Sequence, residues 1–177
     1  MKKIFLILIV AMTISSCCSY LDRGKNIHTD NMDFNYLENH NEFVYKSKVN
    51  AIADKEVFYT TNFSVNLPKH IKHWESSSNE FYFEYDSKEI IYLNVGYKNK
   101  GVSDSWTVRE SNNDEIYTKL SSYWDKRKYS EDALKAEGVG RVSKVYSDGK
   151  VSILLYNIKQ ENFEKYLALV KSFQYTN

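Results

Sequence analysis

The chain has 177 residues, and its 24 lysines and arginines against 23 aspartates and glutamates give a net charge of +1, which excludes binding of nucleic acid through bulk positive charge. One proline and six glycines exclude collagen-like chains and disordered chains rich in proline and glycine. A hydrophobic content of 42% is sufficient for one packed core, and the length is typical of a single domain.

The first residues predict a secretory signal peptide. Two lysines precede an apolar run over residues 4–14, which has about half of the length that a transmembrane helix needs. The run ends in Ile-Ser-Ser-Cys, which resembles the lipobox of bacterial lipoproteins. This resemblance implies cleavage between Ser16 and Cys17 and a diacylglyceryl group on the Cys17 thiol, so residues 1–16 are the predicted signal.

The lipid on Cys17 is expected to anchor the mature chain firmly, because each buried methylene of an acyl chain contributes about 0.8 kcal/mol. Cys18 is a second candidate for the lipidated cysteine, but that alignment would put Ser15 at the position where the aliphatic Ile14 fits better. Because Cys18 is not Asp, the resemblance favours the outer membrane, with the domain in the periplasm or at the surface. Loss of the signal removes two lysines and no acid, so the net charge becomes −1. With no later cysteine, the fold is expected to form without disulfides.

The polar sequence that follows Cys17 predicts an extension between the anchor and the domain. Residues 19–30 are expected to form a flexible tether. Residues 31–48 are expected to form either a short helix or an irregular arm. The segment 17–55 therefore comprises the lipidated cysteine, the tether and the arm. A single domain is expected over 56–177.

Alternation of apolar and polar residues predicts strands in the first half of this domain. Residues 63–67 alternate with period two and end at Pro68, and residues 81–85 alternate in the same way. Residues 90–95 form a denser run, which predicts a strand covered on both faces. Residues 106–108 are a candidate short strand.

The period then changes to that of a helix. Apolar residues at helical spacing predict a helix over 112–128, with Ser111 and Asp114 as its capping residues. A short second helix is expected over 130–136, and an amphipathic helix over 160–173.

Between these helices, two strand-like runs flank Asp148-Gly149, the strongest short hairpin signal, because both residues tolerate positive φ. The order of elements predicts an α+β domain with helices packed on a mostly antiparallel sheet.

The start and the end of this domain resemble the PsbP/Mog superfamily. Phe63-Ser-Val-Asn-Leu-Pro68, followed by Trp74, is similar to the opening strand of that family. Ile153-Leu-Leu-Tyr-Asn157, followed by the helix that includes Asn162-Phe-Glu-Lys-Tyr166, is similar to its end. The resemblance covers roughly residues 57–175 and implies a PsbP-like α/β sandwich, as in small bacterial lipoproteins of the DcrB-like kind. It implies roles in binding and assembly and no shared catalytic residues.

Clusters of chemically active side chains are few. His70 and His73 are three residues apart, but the loop expected after Pro68 favours a solvated pair over a zinc site. An acidic cluster is expected to be a solvated strand edge rather than a calcium site; its members are Glu80, Glu84, Asp86 and Glu89. The sequence therefore predicts no metal site, no cofactor and no catalytic residue.

The abundance of tyrosine and phenylalanine exceeds the need of a modest core and points to protein recognition. The candidate exposed, partner-binding tyrosines are Tyr82, Tyr92, Tyr97 and Tyr117. The favoured function is therefore a non-enzymatic, lipid-anchored envelope protein that binds another protein. Its partner is either a toxin, which the chain would neutralise as an immunity lipoprotein, or a component of envelope assembly or stress response. The alternative is a small envelope hydrolase with an unrecognised site.

Overall fold

The computed structural model describes residues 20–48, 61–99, 101–130 and 139–176, and within them the chain forms two antiparallel sheets and two α-helices. The five-stranded sheet has the spatial order β1 (Ile27–His28), β2 (Met32–Tyr36), β3 (Asn41–Tyr45), β4 (Phe63–Leu67) and β11 (Gln174–Tyr175). The six-stranded sheet has the order β5 (His73–Ser77), β6 (Glu80–Glu84), β7 (Ile90–Val95), β10 (Val151–Lys159), β9 (Arg141–Ser147) and β8 (Thr107–Glu110). The helices are α1 (Asn113–Arg127) and α2 (Gln160–Val170).

The six-stranded sheet is the middle layer, because both of its faces are covered. Phe81 and Phe83 of β6 point into a core shared with Phe43 of the five-stranded sheet. Tyr82, between them in sequence, points to the opposite face and packs with residues of α1. This alternation follows from the pleat of a strand, in which successive side chains lie on opposite faces. The expected α+β class, with a mostly antiparallel arrangement, is confirmed.

Several predicted elements are confirmed. β4 begins at Phe63 and ends before Pro68, β7 is buried on both faces, and Gly149 turns the β9–β10 hairpin with a φ of 83°. Helix α1 begins after Asn112, whose side chain accepts a hydrogen bond from the Glu115 amide. The N-cap is therefore Asn112 and not Ser111. The short helix predicted over 130–136 lies, apart from residue 130, outside the described residues.

The prediction of a helix or an irregular arm over 31–48 is wrong, because β2 and β3 form a hairpin that continues the sheet through β4. Phe34 and Phe43 of this hairpin are completely buried between the two sheets. The sequence does alternate with period two in Met32-x-Phe34-x-Tyr36, but the run is short and lies in a segment that is otherwise polar. The domain therefore begins well before residue 56.

A flexible tether over 19–30 is likewise contradicted for the residues that the structure describes. The Leu21 amide donates to the Ile71 carbonyl at 2.8 Å, and the Asp22 side chain is buried. Asp22 Oδ2 accepts from the Asn41 side chain at 3.1 Å and from the His70 amide at 2.7 Å. The chain is thus fixed to the domain from Tyr20 onward.

Candidate functional site

Two of the four tyrosines predicted to face a partner are buried instead. Tyr82 and Tyr92 are each only 2% exposed, because they lie on the face of the six-stranded sheet that α1 covers. Their hydroxyls donate to the Glu80 carboxylate at 3.1 and 2.8 Å. Their burial raises the pKa of both phenols, that of Tyr82 to about 12. The prediction that these two residues contact a partner is therefore wrong.

The other two tyrosines are accessible but belong to different elements. Tyr117 is 48% exposed on α1, and Tyr97 is partly exposed just after β7. The structure does not assemble the four predicted residues into one exposed face. Ser16 and Cys17, the predicted cleavage and lipidation residues, lie outside the described residues.

The acidic cluster is also not a solvated strand edge, because Glu84 and Glu89 are buried. Glu84 is held against the end of α1, and Glu89 lies next to the start of α2. Burial of a carboxylate is tolerated here because positively charged and hydroxyl groups surround each one. Among the described residues, no three or more histidine, cysteine, aspartate or glutamate side chains are grouped as metal ligands.

His70 and His73 have different surroundings and do not act as a pair. His70 is exposed, has a φ of 73°, and stacks on the Tyr20 ring with 4.7 Å between centroids. His73 Nδ1 is 2.9 Å from the Tyr123 hydroxyl, and burial lowers the pKa of the His73 imidazole.

The strand directions give the two-sheet sandwich two distinct ends. At one end lie the turn between β6 and β7, the C-terminus of β4 and the start of α2. At the other end lie the start of β4, the β9–β10 turn and β11. Strands of five to six residues separate these ends by roughly 17–20 Å. Each end carries a cleft.

The cleft at the β11 end, the aromatic cleft, has a volume of about 230 Å³. Its apolar lining comes from Trp106, Phe173 and Tyr175, all partly exposed. The Trp106 ring stacks on Tyr146 with 4.3 Å between centroids, and Phe173 packs edge-on against Tyr175 at 5.3 Å. Large aromatic surfaces that stay partly open to solvent are typical anchors for a protein partner.

Hydrogen bonds hold the frame of the aromatic cleft in place. Asp148 Oδ1 accepts from the amides of Lys150 and Val151, which fixes the hairpin turn, and Asp148 Oδ2 accepts from Ser103 Oγ at 2.6 Å. The Tyr175 hydroxyl donates to the Gly96 carbonyl at 2.8 Å. The aromatic side chains are thus positioned by a rigid support, which lowers the entropic cost of binding.

The cleft at the opposite end, the Tyr85 cleft, has a volume of about 190 Å³ and is mainly polar. Residues from three segments line it: the β4–β5 connection, the β6–β7 turn and the start of α2. They include Lys69, His70, Tyr85, Asp86, Lys159 and Asn162. A shallower depression continues from it past Lys165 to the β2–β3 turn.

Tyr85 is the unusual member of this cleft. Its side chain is 2% exposed, yet its hydroxyl has no hydrogen-bond partner among the described residues. Burial, followed by the nearby Tyr166, Asp22 and Glu89, holds the pKa of the Tyr85 phenol well above its ordinary value. The hydroxyl is therefore a protonated donor that lacks an acceptor, which costs free energy unless something else supplies one.

Glu89, by contrast, has three hydrogen-bond donors. Its carboxylate accepts from Arg141 Nη1 at 3.3 Å, the Lys159 amide at 3.1 Å and the Tyr166 hydroxyl at 3.2 Å. These donors orient Glu89 as a support for the start of α2.

Neither cleft could be found from the sequence, because each combines residues from segments far apart in the chain. Trp106 was predicted only as part of a strand, and Phe173 only as part of a helical stripe. The alternation over residues 81–85 predicts a strand that includes Tyr85, and nothing in the sequence indicates that its hydroxyl is isolated. The pairing of β4 with β11 and the packing of α2 bring these residues together.

A scan against protein-family models, a search of curated proteins and a search of solved structures each found no match to this chain. Within the part of the chain that the structure describes, no helix combines the length and apolar character that crossing a membrane requires.

Proposed function

We propose that this chain is a bacterial envelope lipoprotein, anchored by lipid on Cys17, that acts by binding another protein. Support for the anchor comes from the two N-terminal lysines, the apolar run over 4–14 and the Ile-Ser-Ser-Cys ending. The absence of Asp after Cys17 favours the outer membrane.

The observation that carries the binding role is the aromatic cleft. Trp106, Phe173 and Tyr175 provide a partly exposed aromatic surface on a hydrogen-bonded frame, at the end of the sandwich opposite Tyr20. Tyr20 is three residues from the proposed anchor, so this cleft points away from the lipid and is open to a partner in the periplasm or at the surface. A volume of about 230 Å³ suits one inserted side chain.

Two kinds of partner fit this role. One is a toxin delivered into the envelope, which the chain would neutralise as an immunity lipoprotein. The other is a component of envelope assembly or stress response, in keeping with the proposed PsbP-like, DcrB-like character of the α+β sandwich. A gene for a secreted toxin beside the gene for this chain would favour the first partner.

Affinity capture with a matched pair of variants tests the binding role. The chain from Ser19 to Asn177 is immobilised and exposed to envelope extract, together with the variants Trp106→Ala and Tyr117→Ala. We expect the unmodified chain and Tyr117→Ala to retain the same protein, and Trp106→Ala to lose it by at least about tenfold, the typical effect of a hot-spot truncation. Circular dichroism melting confirms that both variants remain folded.

Capture that is equal for Trp106→Ala and the unmodified chain would exclude the aromatic cleft as the binding site. The anchor is tested separately: Cys17→Ser is expected to abolish acyl labelling and to leave uncut precursor. Labelling that persists in this variant would show that Cys17 is the wrong residue.

A further inference from the structure

We propose that the end of the sandwich with the Tyr85 cleft lies against the bilayer, and that the cleft binds the phosphate of an anionic lipid headgroup. This inference rests on the proposed lipidation of Cys17. It adds an orientation and a second ligand to the proposed function, and it leaves the aromatic cleft for the protein partner.

The first argument is the short distance along the chain from the anchor to the cleft. Two residues lie between Cys17 and Tyr20, so their Cα atoms are at most about 11 Å apart. The Tyr20 hydroxyl donates to Asp86 Oδ2 at 2.5 Å, and its ring stacks on His70. Asp86 and His70 both line the Tyr85 cleft. An anchor at Cys17 therefore holds this end of the domain next to the headgroups.

The second argument is the character of the surface around the cleft. Leu21 and Leu37 are 39% and 42% exposed, although leucine contacts water unfavourably. The Lys69 side chain lies between the segments that carry Leu21 and Leu37. Its Nζ atom donates to the Leu37 carbonyl at 2.8 Å, and it is 3.7 Å from Oδ2 of Asp22, the neighbour of Leu21. Exposed leucines beside lysines are typical of protein surfaces that rest in the interfacial region of a membrane.

The third argument is the chemistry of the cleft itself. Tyr85 supplies a buried hydroxyl that needs an acceptor, and a phosphate oxygen is such an acceptor. Lys159 and Lys165 form no ion pair within the described ranges. Lys159 directly precedes α2, whose N-terminal dipole favours an anion, and Lys165, in the middle of that helix, lines the adjoining depression.

The two carboxylates that line the Tyr85 cleft, Asp86 and Glu89, already have cationic partners, and the nearby Asp22 is paired with Lys69. Asp86 forms an ion pair with Lys72, and Glu89 pairs with Arg141 at 3.3 Å. Glu38 is exposed on the outer rim of the shallower depression. The ammonium groups of Lys159 and Lys165 therefore remain available to a phosphate.

The test compares the full mature lipoprotein in vesicles of phosphatidylcholine alone and in vesicles that also contain phosphatidylglycerol. Flotation of the vesicles reports anchoring, and amide hydrogen exchange reports contact at each end. We expect flotation with both lipids. Phosphatidylglycerol is expected to slow exchange in residues 69–72, 86–89 and 160–166, and to leave residues 146–151 and 173–176 at the aromatic cleft unchanged.

Two variants and one control identify the residues responsible. Tyr85→Phe and the double variant Lys159→Gln, Lys165→Gln should lose the protection that phosphatidylglycerol gives, because each lysine near an anionic surface contributes about fivefold in binding. The double variant Lys128→Gln, Lys171→Gln, which changes exposed lysines after the two helices, should retain it. Unchanged thermal melting of Tyr85→Phe separates the loss of a ligand contact from a loss of fold.

Each remaining outcome overturns a defined part of the proposal. Flotation without any effect of phosphatidylglycerol would refute this inference and leave the anchor standing. Loss of flotation with both lipids would refute the lipid anchor, and with it the proposed function. Equal protection by glycerol phosphate added to phosphatidylcholine vesicles would show that the cleft takes a free phosphate and not a headgroup.

Discussion

Glu84 shows how one buried side chain connects two layers of the molecule. Its Oε2 accepts from the Tyr123 hydroxyl at 2.8 Å and from Arg127 Nε at 3.1 Å, and its Oε1 accepts from the Tyr129 hydroxyl at 2.6 Å. The carboxylate belongs to β6 and its donors to the last turn of α1 and the residues after it. Burial, followed by the Glu84 charge, raises the pKa of the Tyr123 phenol, which therefore stays protonated and continues to donate.

Removal of this carboxylate is predicted to be costly. Glu84→Ala leaves the Arg127 guanidinium, the buried Tyr123 hydroxyl and the partly buried Tyr129 hydroxyl without their acceptor. We expect the free energy of unfolding to fall by about 3 kcal/mol, the lower end of the range for a broken buried pair, because the Arg127 side chain is 32% exposed. Urea denaturation followed by circular dichroism measures this difference. Glu75→Ala is the control, because Glu75 forms an ion pair with Lys126 closer to solvent, and its loss should cost no more than about 1 kcal/mol. If Glu84→Ala and Glu75→Ala lowered the free energy of unfolding by the same amount, the proposed role of Glu84 in a buried hydrogen-bond network would be contradicted.

At the scale of the element, the junction of β8 with α1 depends on charge. Arg109 of β8 makes two hydrogen bonds, both of 2.7 Å, to the carboxylate of Glu115 in the first turn of α1. The Arg109 guanidinium lowers the pKa of Glu115 below its ordinary value. The geometry is bidentate, which fixes the direction in which the helix leaves the strand.

This pair gives a pH dependence of known sign. A carboxyl whose pKa is lowered by folding stabilises the fold above its unfolded pKa, about 4.3, and loses that contribution as the pH falls through the folded pKa. Arg109→Ala should therefore reduce the free energy of unfolding at pH 7, by no more than about 1 kcal/mol because Arg109 is half-exposed. The difference from the unmodified chain should vanish as the pH falls below 4. Chemical denaturation over this pH range measures it, and a difference that grows at low pH would have the wrong sign.

Elements with strong local signals were predictable from the sequence, and elements that depend on a distant partner were not. The β9–β10 hairpin follows from Asp148-Gly149, and α1 from its apolar spacing. In contrast, β5 reads His-Trp-Glu-Ser-Ser, a poor strand sequence that extends because it pairs with β6. For the tyrosines, the period of two correctly predicts that Tyr82 lies on the opposite face of the strand from Phe81 and Phe83. Only the packing of α1 determines that this face is buried.

At the scale of the whole molecule, the hairpin of β2 and β3 decides where the domain begins. Its strands cover one side of the inter-sheet core. There the ring centroid of Phe43 lies 5.7 Å from that of Phe81 and 5.2 Å from that of Phe83. The hairpin also pairs with β4 along its whole length. Without it, β4 would have an unpaired edge and the six-stranded sheet would expose phenylalanines to water.

A pair of truncated chains tests this boundary. A chain of residues 56–177 should show no cooperative thermal transition and should aggregate, because most of the five-stranded sheet is missing. A chain of residues 19–177 should unfold in one cooperative transition, measured by circular dichroism and by the dispersion of its amide proton resonances. Each buried phenylalanine contributes about 1.5–3 kcal/mol, so deletion of Phe34 and Phe43 alone removes a large share of the stability of a domain, which is about 5–15 kcal/mol. A cooperative transition of the shorter chain at a similar temperature would mean that β1–β3 are an appendage rather than part of the core.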